Sequence, residues 1–172
     1  MVRHMGPSDG PPGVPWWAEL QSREREEPTM TKESRALAGT LLIILPTVML
    51  GGASLLSLLL TDGSGYMLNP LRQNLWRAGH AHAGVYLVLA LVMLRYVDEA
   101  DLSGGTKRFV RLAAPLAAIF VPAAFFLSVP SPTATRPNGF IYLAYVGAVI
   151  LAAGVITLGV GLIRAARRSG AA

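Results

Sequence analysis

Residues 36–60 read ALAGTLLIILPTVMLGGASLLSLLL, an apolar run without a single charged side chain. At a rise of about 1.5 Å per residue, a helix of this length crosses a hydrocarbon core about 30 Å thick. In lipid, every backbone N–H and C=O group has to be paired within its own segment, so we predict a transmembrane helix. The run is longer than the roughly 7–15 apolar residues of a cleavable signal peptide, and we therefore expect the helix to be retained.

Three further apolar runs follow, at residues 78–97, 109–129 and 139–163. A soluble domain of 172 residues would have too few residues left to cover four such helices. The sequence therefore predicts an all-α integral membrane protein, a four-transmembrane-helix bundle of up-down topology that occupies residues 36–168. Prolines inside the runs remove helical hydrogen bonds and are predicted to bend the helices. These prolines are Pro46, Pro115 and Pro122.

The composition agrees with this fold class and excludes several others. The chain is 52% hydrophobic and 15% charged, with a mean hydropathy of +0.46; soluble domains are about 25% charged. Without cysteine there is no disulfide framework, thiolate metal site or cysteine nucleophile. Residues 1–35 are rich in proline and glycine and are predicted to form a disordered tail, and residues 169–172 form a short C-terminal tail. Translation could start at Met1 or at Met30.

Lysine and arginine are unevenly distributed among the flanks of the four runs. Twelve precede the first run, lie around the connection between the second and third, or follow the fourth; three lie in the other two connections. By the positive-inside rule we predict that both termini lie in the cytoplasm. The net charge of +5 then reflects orientation in the lipid bilayer, and we expect no nucleic-acid partner. The three basic residues in the first and third connections are Arg72, Arg77 and Arg136.

The interiors of the runs contain no Asp, Glu, Lys, Arg or His at residues 41–60, 87–94, 112–129 and 140–163. This disfavours a proton-coupled transporter and an intramembrane hydrolase. The leading prediction is a membrane protein without catalytic apparatus, either an accessory subunit or a small ligand-binding bundle. An oligomeric channel or carrier is a further alternative. Its polar path would have to come from the tyrosines and from Thr47, Ser54, Ser57 and Thr157.

Small residues at four-residue spacing mark predicted helix contacts, because they let backbones approach closely. Ala144, Ala148 and Ala152 form such a row in the fourth run, and Gly84 leaves room in the second. The contacts would lie within the bundle, with a membrane-protein partner, or with a second copy of the chain.

The stretch WRAGHAHAG, residues 76–84, holds the one cluster with metal-binding chemistry. Histidine is the commonest metal ligand, so His80 and His82 are the candidate residues for haem or a divalent metal. On a helix they point about 200° apart, so they do not share one ion unless the helix start is unwound. Trp76 and Arg77 are candidate contacts for a haem propionate or another anion.

Two other interpretations of the pair stay open. Both imidazoles could lie at the headgroup level, satisfied by water, lipid phosphate or loop carbonyls. They could also contact a quinone or respond to pH.

A His-x-His followed by small residues at the mouth of an apolar helix resembles helices of haem-copper oxidase subunit I and related small haem-associated membrane proteins. The resemblance covers about ten residues and implies that the two histidines serve different metal centres. The family's other histidines have no counterpart, which excludes a complete haem-copper centre. What remains is one axial haem ligand, the second coming from another subunit or from Met67 or Met93.

The whole chain also resembles the small four-span integral membrane proteins of high-GC, actinobacterial-like bacteria. The resemblance lies in its use of alanine, glycine, arginine and valine and in the GHAHAG stretch at residues 79–84. It implies the four-span fold and a location in the bacterial inner membrane, and it implies no activity.

Overall fold

A computed structural model describes residues 30–61 and 63–170, together with Pro15, Trp17 and Ala18. The tail predicted for residues 1–35 lies mostly outside these described residues, and so do the choice between Met1 and Met30 and the last two residues of the chain. Within the described part the chain is all-α and contains no strand. Its four long helices are α1 (Lys32–Leu60), α2 (Pro70–Tyr96), α3 (Gly104–Ser128) and α4 (Leu143–Ser169).

All four helices are long and apolar enough to span a membrane, which confirms the four-span, up-down prediction. The protein is therefore a multi-pass integral membrane protein. Short 3-10 turns at Tyr66–Leu68 and Gly139–Tyr142 precede α2 and α4. We call the end where α1 and α3 begin the Asp98 end, and the opposite end, where the two 3-10 turns lie, the Tyr66 end.

The helices extend beyond the apolar runs, and the largest difference is at the start of α2. Residue 78 begins the predicted span, whereas the helix begins at Pro70, eight residues earlier. The Asn69 side chain accepts a hydrogen bond from the Arg72 backbone N–H, and Pro70 occupies the first turn, where a missing N–H costs nothing. The Ser103 side chain caps α3 in the same way by accepting from the Thr106 N–H.

Helices α2, α3 and α4 pack closely, and α1 lies along α2. Eight residues of α3 are buried, but only Ser34, Leu41 and Leu55 are buried in α1. The core joins residues of all four helices around Leu94, Val110 and Ala114. Helix α1 is therefore the most exposed to lipid.

The contact between α3 and α4 depends on glycines rather than on the predicted alanine row. Ala148 and Ala152 are exposed and Ala144 is only half-buried, so this row does not form the contact within the chain. Three buried glycines at seven-residue spacing take its place: Gly147, Gly154 and Gly161. A Cβ on Gly147 would lie 2.7 Å from Val121 Cγ2 of α3, whereas one on Gly161 would lie 2.6 Å from Leu102 Cγ in the connection between α2 and α3. Gly147 and Gly154 therefore allow the close approach of α3 and α4, and Gly161 makes room for the connection between α2 and α3.

Candidate functional site

His80 and His82 leave α2 on opposite sides, as their spacing predicted. His80 lies against α1 at Gly51 and Gly52, and the His82 ring lies 5.4 Å from the Phe125 ring of α3. One metal ion therefore cannot take both imidazoles. Among the described residues, no group of three or more His, Cys, Asp or Glu side chains is placed to hold a metal ion.

The histidines also lie deeper in the helix than the sequence indicated. The prediction placed them at the start of the second span, but His80 follows Pro70 by ten residues, about 15 Å along the helix axis. Its neighbour Gly52 precedes the end of α1 at Leu60 by eight residues, about 12 Å. His80 therefore lies within the apolar length of α1, away from the helix ends.

The His80 ring occupies the space that two glycines leave on α1. A Cβ on Gly52 would lie 2.9 Å from His80 Nε2, and a Cβ on Gly51 would lie 3.7 Å from Nδ1. The edge of the ring that carries both nitrogens thus faces α1, and neither nitrogen is fully buried. The imidazole forms no hydrogen bond with any described residue, although a neutral imidazole has one donor and one acceptor.

His80 lines a groove of about 420 Å³ between α1 and α2. The other walls are apolar, and Val85 and Val88 point outward with 62% and 53% of their surface exposed. A Cβ on Gly84 would have one neighbour within contact distance, Val48 Cγ1 at 3.8 Å, so glycine keeps the groove open beside His80. In a membrane protein this groove faces lipid. Its lining residues are Val48, His80, Ala81, Gly84, Val85 and Val88.

His82 is held differently. Its Nδ1 lies 2.7 Å from the Ala78 carbonyl oxygen, and since a carbonyl only accepts, Nδ1 carries the proton. The Nε2 lone pair is therefore left for another partner. The ring packs edge-on against Tyr86, with 5.3 Å between centroids, and against Phe125.

The two predicted methionine ligands lie in different parts of the bundle. Met93 follows His82 by eleven residues on the same helix, about 16 Å along the axis, and it is buried in the core. That separation along the helix is larger than the distance that two ligands of one iron can bridge, so a haem on His82 would need another second ligand than Met93 of the same chain. Met67 lies in the 3-10 turn at the Tyr66 end and is 56% exposed.

Trp76 is paired with an arginine that the sequence interpretation did not choose. The Arg72 guanidinium lies over the Trp76 ring, 3.9 Å from its centroid. Arg77 instead faces outward and donates to the Gln73 carbonyl and the Asn74 side chain. The four-residue spacing of Arg72 and Trp76 on one helix face is the signal that could have found this pair.

Around Trp76, three buried donors have no acceptor among the described residues: Tyr66 Oη, Arg72 Nε and Trp76 Nε1. The Tyr66 ring is fully buried and its centroid lies 6.0 Å from that of Trp76. The loop between α3 and α4 covers this end, because the Asn69 amide donates to the Pro132 and Ala134 carbonyls. This aromatic cluster closes the Tyr66 end of the α2–α3 interface.

A polar network joins three segments at the Asp98 end. Arg111 Nη2 lies 2.6 Å from Asp98 Oδ1, and its Nε donates to the Ser34 hydroxyl at 2.9 Å. The Thr31 backbone N–H donates to Asp98 Oδ2 at 3.0 Å. The side chains of Asp98 and Arg111 are only 9% and 11% exposed. The network therefore ties the start of α1 to the α2–α3 connection and to α3.

Opposing effects set the pKa of the Asp98 carboxyl. Burial raises this pKa, but hydrogen bonds from the Thr31 backbone, Ser34 and Arg111, together with the Arg111 charge, lower it by more. The net effect is a pKa below the ordinary value of an aspartate. Asp98 therefore stays ionised throughout the neutral range.

The hydroxyls considered for a channel do not converge on a path in the described part of one chain. Thr47 donates to the Ile44 carbonyl and Ser54 to the Leu50 carbonyl, both within α1, and both residues are exposed. Ser57 is likewise exposed on α1. Thr157 of α4 lines a separate pocket that also includes Asp101 and Arg164.

Comparison with known proteins adds no relative: no protein-family model, curated protein or solved structure matches this chain.

Proposed function

We propose that this membrane protein is non-enzymatic and binds a planar, lipid-soluble carbonyl compound of the isoprenoid quinone class in the groove between α1 and α2. The observation that carries the proposal is the His80 imidazole, which lies in an apolar groove open to lipid without a hydrogen-bond partner in the described chain. An intramembrane polar group left without a partner costs free energy. A ligand from the bilayer would supply the missing partner.

The lining of the groove decides which class of lipid-soluble ligand fits. It carries no charged side chain, which disfavours a phosphate headgroup and leaves a neutral acceptor such as a carbonyl. The small residues Ala81 and Gly84 leave room on one side of the groove for a planar ring. The groove volume of about 420 Å³ is in the range of small-molecule sites. A neutral imidazole N–H can donate to such a carbonyl.

Decylubiquinone added to the purified protein in detergent tests this proposal, with quenching of tryptophan fluorescence as the readout. We expect saturable quenching, and an affinity about tenfold weaker in His80→Phe, because one hydrogen bond is lost. Gly84→Leu should abolish saturable quenching, since its side chain fills the groove without meeting the backbone of α1.

His82→Phe is the matched control, because it removes the other imidazole of the pair and leaves the groove unchanged. It should bind decylubiquinone as the wild type does. Quenching that grows linearly with quinone in every variant, as expected for partitioning into detergent, would refute the groove as a binding site.

A second candidate function is axial haem ligation by His82, favoured by the hydrogen bond from its Nδ1 to the Ala78 carbonyl. Histidine ligands usually donate their other ring N–H to such an acceptor, which fixes the tautomer. Haem added to the apoprotein should then give a shifted Soret band in the wild type and in His80→Phe, and none in His82→Phe. The same Soret shift in His82→Phe would exclude this ligand.

We further propose that the Asp98 end faces the cytoplasm, with both termini on that side. The support is the excess of lysine and arginine at this end. Cysteine labelling tests this orientation. A reagent applied outside intact cells should label Ser131→Cys, whereas Ser169→Cys should be labelled only after lysis.

A membrane-protein partner or a second copy of the chain stays a prediction. The exposed apolar residues Ile43, Met49 and Leu50 of α1 offer such a partner a surface.

A further inference from the structure

A second groove, which we call the basic groove, lies between α1 and α3 at the Asp98 end. It has a volume of about 610 Å³. Lys107, Arg108 and Arg111 of α3 line one side, and Glu33 and Leu37 of α1 line the other. The Glu33 carboxylate is 77% exposed and lies 3.4 Å from Arg111 Nη1. It is separate from the His80 groove, which lies between α1 and α2.

The three cations of the basic groove are not equivalent. Arg111 is already engaged with Asp98, Ser34 and Glu33. Lys107 Nζ uses one donor on the Asp98 carbonyl at 2.9 Å, which leaves two. Arg108 is exposed and forms no salt bridge with any described residue. Lys107 and Arg108 are therefore the side chains with donors available for an anion.

Apolar surface continues from the basic groove along α3 toward the middle of the bilayer. Leu112 lines the groove and is 40% exposed. Leu116 and Ile119, one and two turns further on, are 36% and 60% exposed. An occupant that matches both parts needs an anionic head at the helix end and an acyl chain along the helix. Basic pockets between transmembrane helices bind anionic lipid headgroups by this combination.

We infer that the basic groove binds one anionic phospholipid, whose phosphate contacts Lys107 and Arg108 and whose acyl chain lies along Leu112, Leu116 and Ile119. The inference is independent of the proposed quinone site, because the two grooves share no lining residue.

Native mass spectrometry of the purified full chain with phosphatidylglycerol, phosphatidylcholine or soluble glycerol phosphate tests the inference. We expect one tightly bound phosphatidylglycerol, and a Kd about 30-fold weaker in the Lys107→Gln/Arg108→Gln double variant, since each cation near a headgroup is worth roughly a factor of five. Arg108→Gln alone should bind phosphatidylglycerol about fivefold more weakly. Because the Arg108 side chain is exposed, this substitution should not disturb folding.

The matched control is Arg164→Gln/Arg167→Gln, which removes the same charge from α4 at the same end. It should bind phosphatidylglycerol as the wild type does. An equal loss in this control, or equal binding of phosphatidylcholine, would overturn the inference. Glycerol phosphate binding as tightly as the lipid would show an anion site without a role for the acyl chain, and would overturn it too.

Discussion

Replacing Gly154 by valine should destabilise the protein by about 3 kcal/mol, at the upper end of the cost of overpacking. A Cβ at Gly154 would overlap the Ala113 side chain of α3, and Met93 Cε would lie 3.5 Å away. Since the Ala113 methyl is fixed directly to the backbone, it cannot turn aside, and the two helices would have to move apart. The loss should appear as a lower midpoint of thermal unfolding in detergent.

Gly159→Val is the control for this prediction. Gly159 lies on the same helix, but a Cβ there would have no neighbour within 4 Å. It introduces the same β-branched residue into α4, so any cost in helix propensity is shared. We expect an effect within about 0.5 kcal/mol of zero. Equal losses in Gly154→Val and Gly159→Val would mean that the α3–α4 contact does not depend on the glycine.

Asp98→Asn should cost about 3 kcal/mol, because it removes the buried anionic partner of Arg111 and leaves only the longer ion pair with the exposed Glu33. Both side chains of the pair are at most 11% exposed, so water replaces little of the lost interaction. Glu99→Gln, which breaks the exposed ion pair with Arg95, should cost less than about 1 kcal/mol. Chemical or thermal unfolding of the three proteins in detergent gives the comparison.

The pH dependence follows from the lowered pKa of Asp98. A carboxyl whose pKa is lower in the folded state stabilises that state above its unfolded pKa, and the stabilisation is lost as the pH falls through the folded pKa. The difference in unfolding free energy between wild type and Asp98→Asn should therefore stay constant from pH 7 down to about pH 5. A difference that already disappears near pH 6 would contradict the assigned ion pair.

The sequence was sufficient for the four spans because length and hydrophobicity decide which segments cross a bilayer. The true helix ends were harder to predict, since residues 70–77 and 104–108 are polar in part and an apolar run does not include them. Their caps, Asn69 and Ser103, were visible signals in the sequence. Local hydrogen-bonding chemistry, rather than hydrophobicity, sets these boundaries.

Local sequence patterns could not predict which residues form the contacts between helices. Helix α4 carries several rows of small residues, and only its rotation against α3 decides that Gly147, Gly154 and Gly161 face inward while Ala148 and Ala152 face out. For the same reason the spacing of the histidines predicted opposite sides, but not that Gly51 and Gly52 lie beneath His80.

The network at the Asp98 end was also missed. Arg111 was counted there only as an orientation charge, since its partners are more than ten residues away in sequence. A non-local ion pair leaves no spacing signal of the kind that relates Arg72 to Trp76 on one helix.

The most direct test of the proposed ligand site is photo-crosslinking with an arylazide analogue of a short-chain ubiquinone in native membranes, followed by peptide mass spectrometry. The proposal predicts adducts concentrated at residues 48–52 and 80–88, reduced by excess decylubiquinone and absent from Gly84→Leu. Adducts spread equally over lipid-facing positions such as Val149 and Ile156, and unaffected by the competitor, would contradict it.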